Sequence, residues 1–239
     1  MTEQLFRDDA YARECEAKVI EVNERGGILL DRSVFYATSG GQAGDKGVLV
    51  SAGGDEIAIG LAVYDENKNV VHVPAVEGTA PDVGATVTVR LDWDARYAHM
   101  RMHTCMHLLC SVLPYPVTGG SISGDTGRLD FDIPEAVLEK DALSEHLNAL
   151  IAADHPVSDD WITDEELEAN PDLVRTMAVK PPMGSGKVRI VKIGADGEID
   201  LQPCGGTHVK NTGEIGPVRI SKIENKGKQN RRFHLVLES

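Results

Sequence analysis

The sequence predicts an α+β protein: a small N-terminal β-barrel over residues 1–91, followed by an α+β domain over residues 92–239 in which a helix packs on an antiparallel sheet. Short apolar runs of β-type residues fill residues 17–91, separated by glycines and acidic turns. A helical segment follows, and strand-like runs then resume. Many short strands in succession are typical of a small barrel, and strands mixed with separate helices are typical of an α+β domain.

The barrel strands are predicted from the apolar runs themselves. The turn-like sequence NERGG at 23–27 separates the first two runs. The predicted barrel strands are 19–22, 28–30, 47–50, 57–63, 70–73 and 87–89.

The second domain is predicted to begin with a helix. Asp92 or Asp94 can cap its N-terminus, and the Leu-Pro pair at 113–114 ends it. The sequence TGGS at 118–121 predicts a second glycine-rich turn, which leads to a strand over 128–132.

Two more helices are predicted before the last strands. Pro134 opens a long amphipathic helix that carries Val137 and Leu138 on its apolar face. Thr163 and Glu166 form a capping box for a shorter helix. The remaining predicted strands are 188–193, 199–201, 218–223 and 233–237.

Length and composition indicate a soluble cytoplasmic protein. The 239 residues suffice to bury a hydrophobic core. No apolar run approaches 18 residues and the N-terminus is polar, so neither a secretory signal nor a membrane anchor is expected. Four cysteines, unevenly spaced, are too few for a disulfide framework, which favours a reducing compartment.

Charge is distributed unevenly along the chain. The net charge of −14 alone argues against a nucleic-acid partner. However, residues 130–172 hold 14 acidic residues and one lysine, whereas residues 173–239 hold 12 basic and 6 acidic residues. The acidic stretch is expected to be mostly an exposed helical insertion. The basic C-terminal third suits a protein that orients on a polyanion, although such stretches are also common as solvated surfaces.

Two pairs of potential metal ligands stand out. His103 and His107 are four residues apart on the first predicted helix, so both imidazoles face one side. The glutamate of an H-E-x-x-H protease helix is missing after His103, which argues against a peptidase. Cys204 and His208 have the same spacing in a glycine-rich turn.

Three imidazoles and one thiolate favour one Zn²⁺ ion per chain. His99 can replace His107 by spacing, whereas Cys105 lies on another helix face and Cys110 is expected in the core. Zinc can polarise a carbonyl or acidify water, so hydrolysis of an ester or amide is the expected reaction. A closed set of four ligands also resembles a structural site, and the spacing alone leaves both roles open.

The loop FYATSGGQAGDKG at 35–47 is the most unusual segment of the barrel. Gly40, Gly41 and Gly44 permit close backbone approach, and Gln42 can orient water or a hydroxyl group. A barrel hairpin with flexible turns is the alternative interpretation. The sequence GSGK at 184–187 lacks the other residues of a phosphate-binding loop, so no ATP-dependent step is expected.

Taken together, these motifs resemble the editing domain of alanyl-tRNA synthetase. The resemblance rests on DRSVFYATSGGQAGDKG (31–47), HTCMHLL (103–109), GRLDFDIP (127–134) and LQPCGGTHVKNTGEIGPVRISKIENKGKQNRR (201–232), in this order over nearly the whole chain. Threonyl-tRNA synthetase editing domains share the two ligand pairs, but the Gly-Gly-Gln loop and CGGTHV favour the alanyl branch. With no segment left for an aminoacylation domain, the sequence is similar to a freestanding editing protein of the AlaX family.

The resemblance implies zinc-dependent hydrolysis of serine, and secondly glycine, wrongly esterified to tRNA(Ala). It implies that four residues hold the zinc: His103, His107, Cys204 and His208. Gln42 and Thr104 are the candidates for recognising the serine hydroxyl, and Asp45 or Asp132 for supporting the loop or water. Cys105 and Met106 depart from the commoner HTATH form of the family but leave the ligands intact.

Ten basic residues of the C-terminal third, Arg189 among them, are expected to face the tRNA acceptor stem. The expected contacts come chiefly from Lys226, Lys228, Arg231 and Arg232. Two alternatives stay open: a non-catalytic tRNA-binding or synthetase-associated module with a structural zinc, and a generic zinc hydrolase of small esters. The sequence leaves the oligomeric state undetermined.

Overall fold

A computed structural model describes residues 1–134, 139–177 and 186–238. The chain divides into two compact units, Met1–Tyr97 and Ala98–Ser239. The division falls within the first helix, which is predicted to lie wholly in the second domain. The domain boundary at residue 91 stays a prediction.

The described residues form strands and three α-helices. The strands are β1 (Glu3–Gln4), β2 (Glu14–Val22), β3 (Ile28–Leu30), β4 (Arg32–Ser33), β5 (Gly47–Ser51), β6 (Glu56–Tyr64), β7 (Val70–Pro74), β8 (Thr86–Leu91), β9 (Val117–Ser123), β10 (Thr126–Asp132), β11 (Val157–Thr163), β12 (Lys187–Ile193), β13 (Asp200–Pro203), β14 (Val218–Asn225) and β15 (Asn230–Leu237). The helices are α1 (Trp93–Val112), α2 (Lys140–Ala152) and α3 (Asp164–Ala169).

The first unit is a closed barrel. Its strands follow the order β2-β3-β7-β6-β5-β8, and every neighbouring pair is antiparallel. Alternating side chains point inward, so Leu49 and Val89 meet Ile28, Leu30 and Phe35 in a core without exposed surface. The predicted N-terminal barrel is confirmed.

The second unit combines helices with antiparallel sheets. One sheet has the order β14-β15-β10-β9 and the other β11-β12-β13. Helix α2 packs on β14, where Asn148 Nδ2 donates to Val218 O (2.7 Å) and Ser144 Oγ accepts from Ile220 N (2.9 Å). The predicted α+β class is confirmed, as is the capping box, in which Thr163 and Glu166 exchange hydrogen bonds at the start of α3.

The predicted glycine-rich turn at 118–121 is wrong, because these residues lie inside β9. Gly119 and Gly120 pair with Asp130 and Leu129 of β10. A Cβ atom on Gly120 would lie 3.0 Å from Leu129 Cδ2 and 3.2 Å from Met106 Cε. The glycine therefore lets the strand approach helix α1 closely, which is a packing requirement rather than a turn signal.

The acidic stretch 130–172 is not mostly a helical insertion, because it supplies β11 to the three-stranded sheet as well as α2 and α3. Helix α2 is described from Lys140, and Val137 and Leu138 of the predicted helix lie outside the described residues. None of the helices in the described ranges is both long and apolar enough to cross a membrane.

Candidate metal centre

Helix α1 presents two imidazoles on one face. Asp92 caps the helix, since its Oδ1 accepts from Ala95 N (3.2 Å) and its carbonyl accepts from Arg96 N (3.1 Å). His103 and His107 lie one turn apart, with ring centroids separated by 5.4 Å, and both are buried. The helix therefore fixes half of the predicted ligand set.

The turn after β13 brings the other two ligands to the same point. Cys204 Sγ lies 3.5 Å from His103 Nε2 and 3.3 Å from His208 Nε2. The His208 ring centroid is 4.4 Å from that of His103 and 4.7 Å from that of His107. One ligand atom from each of the four residues lies within 4.8 Å of the others, so this cluster can hold a metal ion.

These distances fit a tetrahedral zinc site. Ordinary Zn–N and Zn–S bond lengths place neighbouring ligand atoms of a tetrahedron about 3.3–3.6 Å apart. The measured separations of Cys204 Sγ from His103 and His208 fall in this range. The donor set of three nitrogens and one sulfur is also one that zinc accepts.

The alternative ligands considered from the sequence are not part of this cluster. His99 lies on α1 but does not belong to the group. Cys105 and Cys110 are buried, and burial raises the pKa of each thiol to about 12. Both cysteines are therefore protonated core residues, as expected for Cys110.

The protonation states of two cluster residues suit metal binding. Burial opposes ionisation of Cys204, but the His103 and His208 imidazoles outweigh it and hold the pKa of the thiol well below its usual value. Burial and the neighbouring His103 lower the pKa of His208 to about 3, which keeps this imidazole neutral. A thiolate and a neutral imidazole are the forms that bind zinc.

Asp200 and Gln202, which are not among the residues predicted from the sequence, orient His107. His107 Nδ1–H donates to Asp200 Oδ2 (2.8 Å), which leaves Nε2 facing the cluster. Gln202 Nε2 donates to the same carboxylate oxygen (2.8 Å). Burial opposes charge on His107, but Asp200 and Cys204 raise its pKa to about 10. Alternation along the strand that leads to Cys204 is the signal that could have revealed this pair.

Thr104 lies between the two helix ligands and contacts a third. Its Oγ1 donates to Met100 O (2.9 Å), accepts from Val209 N (3.3 Å) and lies 3.2 Å from His208 Nδ1. The hydroxyl group thus orients the His208 ring. Its predicted role in recognising serine stays a prediction.

The glycine-rich loop of the first unit is a tight hairpin. Ser39 and Gln42 exchange backbone hydrogen bonds (3.1 and 2.9 Å) around Gly40 and Gly41, whose φ angles are +56° and +85°. A Cβ atom on Gly44 would lie 1.9 Å from the carbonyl oxygen of Ala62, so only glycine fits there. The Gln42 residue is fully buried, and its predicted catalytic role stays a prediction.

The predicted tRNA-contacting residues differ in how far other groups already engage them. Arg232 Nε and Nη2 each donate to an Asp130 carboxylate oxygen at 2.7 Å, and Lys226 Nζ lies 3.6 Å from Glu224 Oε2. Arg231 Nη1 donates to the carbonyls of Gly227 and Asn230 (3.2 Å each). Lys226 and Lys228 are exposed at the β14–β15 hairpin. Arg232 therefore has more of its donor atoms occupied by other protein groups than either lysine has.

Comparison with known proteins gives consistent matches to one group. The family model described as "Threonyl and Alanyl tRNA synthetase second additional domain" matches residues 188–234, and that described as "tRNA synthetases class II (A)" matches residues 6–95. The alanyl-tRNA editing protein AlaX-M of Methanosarcina acetivorans is 37% identical over 99% of both chains. AlaX-M of Saccharolobus solfataricus is 33% identical over 100% of both chains. The alanine–tRNA ligase of Pyrobaculum arsenaticum is 37% identical over 93% of this chain and 25% of the ligase.

Proposed function

Because the chain belongs to the AlaX family of alanyl-tRNA editing proteins, we propose that it is a zinc-dependent hydrolase that removes wrongly attached amino acids from tRNA(Ala) in trans. The proposed substrates are Ser-tRNA(Ala) and, secondly, Gly-tRNA(Ala). The convergence of His103, His107, Cys204 and His208 on one point is the observation that carries this proposal.

The reaction is hydrolysis of the ester between the amino acid and the terminal ribose of the tRNA. When bound, zinc supplies Lewis acidity that polarises an ester carbonyl and acidifies water. The protein's own contribution is to hold Cys204 as a thiolate and His208 as a neutral imidazole, and to orient two of the rings: Asp200 directs Nε2 of His107 into the cluster, and Thr104 contacts Nδ1 of His208. Because the three histidines of the cluster are buried, water screens the charge of a bound ion less there than at the surface.

A separate editing site is needed because an alanine pocket discriminates poorly against similar amino acids. Glycine is smaller than alanine, and serine differs from it by one hydroxyl group, so a synthetase pocket cannot exclude either strongly. A site that hydrogen bonds to the serine hydroxyl would leave a polar group unpaired when alanine is present. We propose Gln42 for this contact, with Thr104 contributing through its contact with His208.

The surface proposed to contact the tRNA is the turn between β14 and β15 together with the start of β15. Its basic residues are Lys226, Lys228, Arg231 and Arg232. Recognition there would rest on backbone phosphates and A-form shape rather than on base edges. Because Asp130 already engages Arg232, the exposed lysines are proposed to contribute most of the phosphate contacts.

The deciding experiment is a deacylation assay with purified protein and Ser-tRNA(Ala), Gly-tRNA(Ala) and Ala-tRNA(Ala). The proposal expects hydrolysis of the seryl ester, a much lower rate on the alanyl ester, and loss of hydrolysis after Cys204→Ala with His208→Ala. Cys15→Ala and His146→Ala are matched controls, since neither residue belongs to the cluster.

Three outcomes would contradict the proposal. Equal rates on the three substrates would contradict the proposed specificity for wrongly attached amino acids. Full activity in the variant that lacks both Cys204 and His208 would show that the metal centre is not needed for hydrolysis. Salt-sensitive tRNA binding without hydrolysis would favour a non-catalytic module. Metal analysis of the purified protein, with one zinc per chain expected, identifies the ion.

A further inference from the structure

Arg189 lies in β12, the central strand of the three-stranded sheet, and its side chain is directed to the metal-binding turn. The side chain is only 9% exposed. Its Nη1 atom donates to Cys204 O (3.0 Å) and to Gly206 O (3.0 Å). The guanidinium therefore bridges two carbonyls of the turn that supplies the cysteine ligand.

The main chain of Arg189 holds the same turn from the other direction. Cys204 N donates to Arg189 O (3.1 Å), and Gly206 N donates to Cys204 Sγ (3.4 Å). Asp159 on the neighbouring strand β11 accepts from Arg189 Nε (3.2 Å) and so fixes the guanidinium in its plane. Hydrogen bonds therefore hold the 204–206 turn at the Cys204 nitrogen, at the Cys204 and Gly206 carbonyls and at the Cys204 sulfur.

We propose that Arg189 is a positioning residue of the metal centre, which holds the 204–206 turn in the geometry that binds the ion. This inference rests on the proposed zinc site. Gly205 and Gly206 give the turn a large conformational freedom in the absence of restraints, and the ordering of such a segment is costly. A guanidinium suits the task because it is planar, always charged and carries several donors in fixed directions.

The same contacts argue against the expectation that Arg189 faces the tRNA. A phosphate-binding arginine needs its donor atoms directed to solvent, whereas this side chain is buried and both Nε and Nη1 are engaged within the protein. Its Nη1 donors are directed to the carbonyls of the turn that carries Cys204, so they are not available to a phosphate.

The test compares Arg189→Met, Arg189→Lys and Lys192→Met in the full-length protein. Lys192→Met is the matched control, because Lys192 lies in the same strand and pairs with Asp160 of β11 (2.8 Å) without contacting the turn. Zinc affinity is measured by competition with a chromogenic chelator. The cobalt-substituted proteins are compared by their thiolate-to-cobalt absorption, which reports whether Cys204 ligates the ion.

Arg189→Met is expected to weaken zinc binding about tenfold to a hundredfold, which is the usual cost of losing a hydrogen bond that orients a metal ligand. The thiolate-to-cobalt absorption is expected to decrease as well. Arg189→Lys keeps the charge but lacks the planar fork, so a smaller loss in the same direction is expected. Lys192→Met is expected to match the wild type in both measurements.

Wild-type affinity and an unchanged cobalt spectrum in the folded arginine variants would overturn the inference. If Arg189→Met does not fold, as judged by circular dichroism of the metal-free protein, Arg189→Lys decides the question alone by the same two measurements. Failure of the wild type itself to bind zinc or cobalt would instead contradict the proposed function, so the two failures are distinguishable.

Discussion

Arg96 and Asp45 form an ion pair from which solvent is excluded: the two side chains are 0% and 1% exposed. Arg96 Nε lies 3.1 Å from both carboxylate oxygens, and Nη2 also donates to Oδ2. The same guanidinium donates to Ala10 O (2.9 Å) and Val34 O (2.8 Å), and Asp45 Oδ2 accepts from Tyr36 N (2.6 Å). The pair therefore ties the base of the glycine-rich loop to the first turn of α1.

Removal of the Asp45 carboxylate is expected to destabilise the barrel strongly. In Asp45→Ala, Arg96 stays buried without its counter-charge, which typically costs about 3–5 kcal/mol of unfolding free energy. Urea denaturation followed by tryptophan fluorescence measures the loss; Trp93, which stacks on Tyr97 at a ring-centroid distance of 5.4 Å, reports on the barrel when Trp161 is replaced by Phe in all compared proteins. Glu14→Gln is the control, because the Arg90–Glu14 pair is about half exposed and is expected to contribute less than about 1 kcal/mol. Equal losses in the two variants would contradict this prediction.

The barrel is also expected to lose stability on mild acidification, because of His72. This residue is fully buried: Nδ1–H donates to Ile28 O (3.1 Å), and Nε2 accepts from the Ser33 hydroxyl (2.8 Å), which in turn accepts from Phe35 N (3.0 Å). Burial lowers the pKa of His72 from 6.5 to about 4 despite the opposing effect of the Ile28 carbonyl.

The direction of the effect follows from proton uptake. Above pH 6.5 His72 is neutral in both the folded and the unfolded chain, so protonation of His72 does not reduce the free energy of unfolding. Between pH 6.5 and about 4 only the unfolded chain takes up the proton, which favours unfolding. The expected loss across this interval is about 3 kcal/mol. His72→Gln, which can keep a donor and an acceptor without titrating, should reduce the pH dependence of the urea midpoint over this interval. An identical pH profile in the variant and the wild type would rule out the assignment.

Asp200 is expected to govern the metal affinity without being a ligand. Asp200→Asn preserves the shape of the side chain but replaces the charged acceptor of His107 Nδ1–H by a neutral amide, which weakens the hydrogen bond that orients the imidazole. Zinc binding is expected to weaken about tenfold to a hundredfold, measured by chelator competition. Asp196→Asn, an exposed position in the preceding loop, should leave the affinity unchanged. Wild-type affinity in Asp200→Asn would show that the orientation of His107 is set elsewhere.

Features that depend on local spacing could be predicted from the sequence, and features that depend on distant contacts could not. The four-residue spacing of His103 and His107 directs both rings to one helix face, and the barrel follows from its alternating short strands. Strand alternation indicates that Asp200 and Gln202 share a face with Cys204, but not that His107, 93 positions from Asp200, meets them. The glycines at 118–121 predict a turn, because the close packing of Met106 against Gly120 of β9 is visible only in three dimensions.

The basic residues of the β14–β15 region are expected to contribute unequally to tRNA binding. Lys228 is exposed, whereas two nitrogen atoms of Arg232 are hydrogen bonded to Asp130 at 2.7 Å and its side chain is 24% exposed. A lysine that contacts a phosphate releases about one counterion on binding, so Lys228→Gln should weaken tRNA binding and reduce the slope of log Kd against log salt concentration by about 1.

Arg232→Gln is expected to change this slope much less and to lower the unfolding free energy instead, since Asp130 loses its two short hydrogen bonds and keeps only the longer contact with Arg128 (3.4 Å). Lys140→Gln, on the exposed surface of α2 within the acidic stretch, is the control for a general change in net charge. The measurement is tRNA binding by fluorescence anisotropy over a series of salt concentrations. An equal reduction of the slope by Lys228→Gln and Lys140→Gln would mean that overall charge, rather than a phosphate contact at the hairpin, determines the affinity.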